Sequence, residues 1–437
     1  MSNISHETPV YAVKPQHLIA VNDYPAQMET IPPSRMFTIK KALDAYKAKV
    51  GAEALVYDAS QGDGGASLPG VPSSLLESAL ELQIKQGTGY DQPFGTPLFR
   101  KVAAENYWHL DSSTGWGPNN IVFVQGGRDG LNKAYNAMVT LGYGRVGDLL
   151  MVSRVPWISY NWGPYSLGLN VLQAPGDPGE GWRYTPEGIK AAVDFAAKDG
   201  RKIAGIVITS PDNPTGRTIP LEEQIMLGKV ALEAGIAYVL FDWIYHWVTD
   251  SGPSDINVVL SAFTSEERER LIFLDGITKS LGGSNIRSAH LLAGSKVVEH
   301  IVSQASHGVV PSFFAQAVAI AAYQQGFGEA AKSIIEPTSQ SRKVLKAALA
   351  ESGLPHVLGD GYYAFIDVSK YIEAGGYQNN TEELGGYVAK EYGVAVVPGI
   401  YFSDAGANWV RFSYALPPQK TEKAIQQFFV GLNSLIK

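Results

Sequence analysis

Short apolar runs alternate with amphipathic stretches along most of the chain. Apolar runs at 121–124, 149–155, 205–209, 237–241 and 271–274 are four to seven residues long and end in turn-forming residues. That pattern predicts strands buried on both faces. Helical spacing predicts helices over 37–49, 73–86, 97–109, 131–141, 186–198 and 221–233; in the first, Ile39, Ala42, Leu43 and Tyr46 recur at helical intervals. Strand followed by helix, repeated, reads as an α/β fold: a mostly parallel, doubly wound sheet with helices on both faces. After Pro311 the pattern changes. Helices over 312–325 and 328–351 precede apolar runs at 362–366, 394–397 and 409–414, and a helix over 419–436 closes the chain. This is an α+β arrangement, expected to be a second, smaller domain. Residues 1–34, with Pro25, Pro32 and Pro33, read as an extended arm, and the charge run in 265–270 as a solvated helix face.

The chemistry gathers where predicted strands end. Lys279 and Arg287 lie on a polar loop between the runs 271–274 and 291–293. A loop of that kind sits at the lip of a sheet, where ligands bind in open α/β folds. A lysine held there can act as an amine nucleophile, and an arginine eight residues on can grip an anion with its planar fork. Strand, double glycine, helix describes 121–141 around Gly126-Gly127-Arg128, a geometry that offers backbone N–H groups to an anion. Trp157, Tyr160 and Trp162 follow another strand; Asn213 and Asp242 end two more, with Tyr245 close behind. A glycine- and proline-rich loop spans 57–72, and Tyr90 stands between turn signals. A lysine, an arginine, a glycine nest, an aromatic, an asparagine, an aspartate and a tyrosine suit one small molecule: a pyridinium ring bearing a phosphate, an aldehyde and a phenolic oxygen.

Bulk properties exclude more than they assign. The 437 residues are 45% hydrophobic and 18% charged, enough for a large core. A net charge of −7 argues against a nucleic-acid footprint. With no cysteine there is no disulfide, thiolate metal site or cysteine nucleophile, and no metal site is expected. No signal-like start and no long apolar run are visible, so a soluble, cytoplasmic protein without membrane contact is expected.

Four segments also resemble a known family. Ser210-Pro211-Asp212-Asn213-Pro214-Thr215-Gly216, Asp242 with Tyr245, Thr278-Lys279 with Arg287, and Asn408-Trp409-Val410-Arg411-Phe412-Ser413-Tyr414-Ala415 look like the class I/II aminotransferases, pyridoxal 5′-phosphate enzymes of fold type I. The likeness runs in the family's order from about Gly62 to Leu435. It implies a large domain over 76–311 and a smaller one built from both chain ends, 1–75 and 312–437. Lys279 would carry the cofactor as a Schiff base and move the substrate's α-proton. Asp242 would pair with the pyridine nitrogen, while Tyr245 and Asn213 would bond the phenolic oxygen. Trp157 would stack on the ring. Gly127, Arg128, Thr278 and Arg287 would hold the phosphate, with Tyr90 reaching the neighbouring site of a homodimer. Arg411 would bind the substrate carboxylate, assisted by Gly62 and Asn213. The implied activity is transfer of an amino group between an L-amino acid and a 2-oxo acid by a ping-pong mechanism. The alternative is another reaction on the same scaffold: elimination or replacement, cyclisation, or oxidation. A ligand-sensing role in a transcription regulator would need a basic module that residues 1–60 do not supply. His307 reads as structural. Departures from the family pattern are Trp243, Arg128-Asp129, Ser288-Ala289-His290 and the glycine-rich loop 61–68, whose family counterpart lies over the substrate.

Overall fold

The structure, a computed structural model, describes residues 31, 33–142, 144–378 and 380–436. The arm expected over 1–34 lies almost wholly outside these residues. Thirteen strands are present in the described residues. In chain order they are β1 Tyr57–Asp58, β2 Ile121–Val124, β3 Leu149–Val152, β4 Asn170–Gln173, β5 Ile203–Thr209, β6 Tyr238–Asp242, β7 Leu271–Gly276, β8 Ala289–Ala293, β9 His356–Leu358, β10 Tyr363–Asp367, β11 Val394–Ala395, β12 Val397–Pro398 and β13 Trp409–Ser413.

Seven of them form one sheet in the order β2-β8-β7-β6-β5-β3-β4. From β7 to β4 all neighbours are parallel; β8 runs antiparallel to both β7 and β2. Every residue of these strands is buried, which is why they read as continuous apolar runs. Side-chain alternation divides them between two cores. Phe123, Met151, Phe241 and Phe273 face one helical layer, while Val122, Leu150, Leu240 and Leu274 face the other. Each such burial is worth about 1.5–3 kcal/mol. The polar-ended strand β4 went unforeseen, because Asn170 and Gln173 break the apolar pattern although both are buried.

A second sheet, antiparallel throughout, has the order β12-β13-β10-β9. Ala364, Ile366, Val410 and Phe412 point into their own core. The opposite face carries Tyr363, Phe365, Trp409, Arg411 and Ser413. The segment expected as a loop over 57–72 also holds the strand β1 and a helical turn, Gly64–Ser67, and the two-residue pair β1–β11 ties its start to the C-terminal part of the chain.

Two expectations need correction. The helix expected over 131–141 spans Gly127–Leu141, so Gly127 and Arg128 are its first turn rather than a loop. The charge run in 265–270 is not simply solvated. Arg268 donates to the carbonyls of Leu260 and Thr114, both at 2.6 Å, and Arg270 donates to Ala237 O at 2.8 Å. These arginines therefore tie carbonyls of neighbouring segments together. No helix among the described residues is long and apolar enough to cross a membrane.

Candidate active site

The sheet topology brings the expected residues to one lip. β2, β3, β5, β6 and β7 run in the same direction, so the segments that follow them emerge together. Antiparallel β8 starts at that lip, which adds the segment before it. Trp157, Asn213, Lys279 and Arg287 fall on these connections, Asp242 ends β6, and Gly127 opens the helix after β2. Lys279 is three residues past β7 and half-buried. Its Nζ donates to Gly62 O and sits 5.9 Å from the centre of the Tyr245 ring. The Tyr362 hydroxyl donates to the Lys279 carbonyl.

Asp242 is the last residue of β6 and only 3% exposed. Its Oδ2 accepts from the Tyr160 hydroxyl at 2.6 Å and its Oδ1 from the Ile244 N–H at 3.2 Å. Among the described residues no lysine, arginine or histidine forms an ion pair with it. Burial pushes its pKa up to about 6, against the pull of the Tyr160 hydrogen bond. Such a carboxylate has the chemistry to receive a protonated ring nitrogen. Burial likewise raises Asp212, next to Asn213, to about 6, although Thr215 donates to it.

An anion cradle lies at the other end of the lip. The helix Gly127–Leu141 begins there, and its first N–H groups have no partner within the helix. Gly126 enters it at φ 84°, and a Cβ there would collide with the Arg287 guanidinium. Arg287 itself stands at φ 61°, a conformation rare for a residue with a side chain. It donates from Nη1 to Ser284 O at 2.8 Å and from Nη2 to Gln125 O at 3.2 Å. Those bonds hold the fork over the helix start. The Thr278 hydroxyl is buried with no hydrogen-bond partner among the described residues. Trp157 is half-buried, with its ring edge-on to Tyr160 and the Arg128 guanidinium 5.6 Å above it. An orphaned hydroxyl, the N–H groups of a helix start, an arginine fork, a lysine amine and a buried carboxylate without an ion-pair partner among the described residues have the chemistry to fit pyridoxal 5′-phosphate.

Arg411 projects from the middle of β13 toward the same lip and is 4% exposed. Nη1 donates to Asn213 Oδ1 at 2.7 Å and Nη2 to Ser60 O at 2.6 Å, while its buried Nε has no partner among the described residues. The guanidinium lies between the rings of Tyr363, at 4.3 Å, and Phe402, at 5.4 Å. Gly62 sits two residues past Ser60, and a Cβ on it would collide with the Tyr363 hydroxyl. The glycine-rich loop is thus packed against the site. Asp63 caps its short turn and accepts from the Ser284 hydroxyl at 2.6 Å.

Two further residues lie away from the lip: Tyr90, expected to reach a neighbouring site, and His307, read as structural. Tyr90 is 97% exposed and joins no site of its own chain. His307 lies on the exposed turn after the helix Ser295–Ala305. Sequence reading missed Ser60, Tyr160 as the Asp242 partner, and Tyr362 and Tyr363, which sat in what looked like a plain apolar strand.

A model of the family described as aminotransferase class I and II matches residues 59–428. The aspartate aminotransferase of Bacillus subtilis (strain 168) is 25% identical over 359 residues, covering 82% of this chain and 86% of that protein. The aspartate aminotransferase of Pyrococcus abyssi is 27% identical over 360 residues, covering 82% and 87%. Among solved structures, the Thermus thermophilus aspartate aminotransferase with maleate superimposes with a TM-score of 0.75 at 25% identity, covering 92% of this chain and 97% of that one.

Proposed function

We infer the roles of the site residues from the premise that this chain belongs to the class I and II aminotransferases, and is therefore an enzyme that transfers amino groups. The family is in general pyridoxal-phosphate dependent, and the residues present at the lip suit that cofactor. Lys279 would hold its aldehyde carbon, Asp242 its ring nitrogen, Trp157 its face, and Tyr245 and Asn213 its phenolic oxygen. The first-turn amides at Gly127 and Arg128, with Thr278 and Arg287, would hold its phosphate. When bound, the cofactor supplies an aldehyde that takes up the amine and a ring that accepts the electron pair left when the α-proton departs.

The chain's own part in the reaction follows from geometry. Arg411, fixed by Asn213 and Ser60, presents a fork to the α-carboxylate of an L-amino acid. Lys279, bonded to Gly62 O, takes the α-proton and returns one in the reverse half-reaction. Asp242, ionised, would hold a proton on the ring nitrogen and so favour charge build-up on the ring. Aromatic walls from Trp157, Tyr245 and Tyr363 limit water at the reacting carbon. One observation carries this reading: Arg411 and Lys279 grip the same three-residue segment, at Ser60 and Gly62. Both side chains are anchored on one short segment, which supports a carboxylate clasp and an amine serving the same substrate. The exposure of Tyr90 supports a homodimer in which it completes the partner's phosphate site.

The test is absorbance of the purified protein with pyridoxal phosphate, against single L-amino acids including aspartate. Wild type gives a visible band that Lys279→Ala lacks. A donor bleaches it with release of a 2-oxo acid, and a second oxo acid restores it, as a ping-pong transfer requires. Ammonia release with spontaneous recovery of the band would instead assign an elimination. A band equal in Lys279→Ala refutes the role given to that lysine.

A further inference from the structure

Tyr363 stands where the phenol, the arginine and the glycine-rich loop meet, and none of the roles above uses its hydroxyl. Strand alternation puts it on the face of the small sheet that carries Arg411, one diagonal step away, since Arg411 pairs with Phe365. Its ring lies under the Arg411 guanidinium at 4.3 Å. Its hydroxyl is 3.0 Å from the hydroxyl of Tyr245. It also fills the space in which a Cβ on Gly62 would stand, and the whole residue is 1% exposed. The hydroxyl is therefore caught between the 60–62 segment and Tyr245, away from bulk water.

Two phenols at this distance share one hydrogen bond, and by geometry either can donate it. Each has one proton. If Tyr245 gives its proton to a phenolic oxygen of the cofactor, only its lone pairs remain for Tyr363, and Tyr363 must be the donor. A donor that itself accepts a hydrogen bond is polarised and donates more strongly. Burial, and then the presence of Tyr363, hold the Tyr245 phenol well above its usual pKa, so Tyr245 keeps the proton it donates.

We propose that Tyr363 is a positioning residue: by donating to Tyr245 it commits the Tyr245 proton to the cofactor's phenolic oxygen. The inference rests on the pyridoxal-phosphate reading of the site. It assigns a task to a residue on the small sheet that touches both the carboxylate clasp and the cofactor's hydrogen-bonding partner. Ring and hydroxyl have separable effects, because phenylalanine keeps the ring under Arg411 and deletes only the donor.

The experiment is a pH titration of the visible absorbance band in the reconstituted holoenzyme. It compares wild type, Tyr363→Phe, Tyr245→Phe and the double variant. Hydrogen bonds to an anionic oxygen lower the pH at which it is protonated, so weakening them raises the midpoint. Tyr363→Phe raises it by about 0.5 unit or more, a roughly threefold or larger change in the proton equilibrium. Tyr245→Phe raises it further, and adding Tyr363→Phe to that variant changes nothing more. An unmoved midpoint in Tyr363→Phe overturns the inference while leaving the cofactor reading intact. An equal shift in both backgrounds also overturns it, because Tyr363 would then act without Tyr245. Absence of any visible band in the wild type overturns the inference together with the reading beneath it.

Discussion

Replacing Asp242 by asparagine changes the stability of the cofactor-free protein in a direction that depends on pH. Burial raises this carboxyl from an ordinary 3.8 to about 6. The folded state therefore holds the proton to higher pH than the unfolded state. Native stability from this group is complete below the unfolded value and is lost as pH rises toward 6, the reverse of a salt-bridged carboxylate. Two pH units at about 1.4 kcal/mol each make the ionised group cost about 3 kcal/mol at pH 8. Asparagine carries no charge and escapes that cost. Its oxygen can keep the Ile244 N–H, but its amide then faces the Tyr160 hydroxyl. That hydroxyl can turn to Thr209 Oγ1, 3.0 Å away, and accept from the amide, at a loss of about 1 kcal/mol. Asp242→Asn should thus stabilise the cofactor-free protein by about 2 kcal/mol at pH 8 and destabilise it by about 1 kcal/mol near pH 4. Thermal midpoints of both proteins across pH 4–8 read the difference. Asp212 titrates in the same window and its charge adds to the rise at Asp242, so Asp212→Asn serves as the second background for the comparison. With pyridoxal phosphate bound the sign at pH 8 reverses, because asparagine cannot neutralise a protonated ring nitrogen. A constant offset at every pH, or a less stable variant at pH 8 without cofactor, would refute the reasoning.

Other substitutions probe single contacts. Thr278→Val removes a buried hydroxyl that has no partner among the described residues. Cofactor-free stability should hold or rise by up to about 1 kcal/mol, while the dissociation constant for pyridoxal phosphate, followed by fluorescence titration, rises about tenfold. Gly65→Ala would drive a Cβ into the Gly282 carbonyl, backbone that cannot step aside. A loss of about 2 kcal/mol is expected, read as a lower thermal midpoint. Arg411→Lys cannot keep the bonds to Asn213 and Ser60 while presenting a fork. It should raise the amino-acid KM about 100-fold in steady-state kinetics and leave the visible band in place.

Much of the scaffold was legible because of how parallel sheets are buried. Strands covered on both faces show as unbroken apolar runs, and such runs placed Asp242 at a strand end and Lys279 just beyond one. The same property hides which way each residue faces. In the run 362–366 nothing in the residue types tells Tyr363, turned to the site, from Ala364, turned to the core. Ser60 contributes a carbonyl, for which no side chain gives a signal. The double glycine suggested a loop, yet it opens the helix one turn early, since Gly127 and Arg128 tolerate helical backbone. The SEERER run was misread because charge alone does not show whether a guanidinium meets water or a carbonyl.

The bond from Arg411 to Ser60 joins positions 351 apart. On a chain leaving the ribosome, the strands of the large sheet and Lys279 appear well before β13. The Arg411–Ser60 bond is therefore made late, by the tail returning to the head. A product cut short by the final tenth of its length keeps Lys279 and Asp242 but lacks Arg411. On the roles proposed above, the order of synthesis separates the residues that would hold a cofactor from the arginine that would seat a substrate.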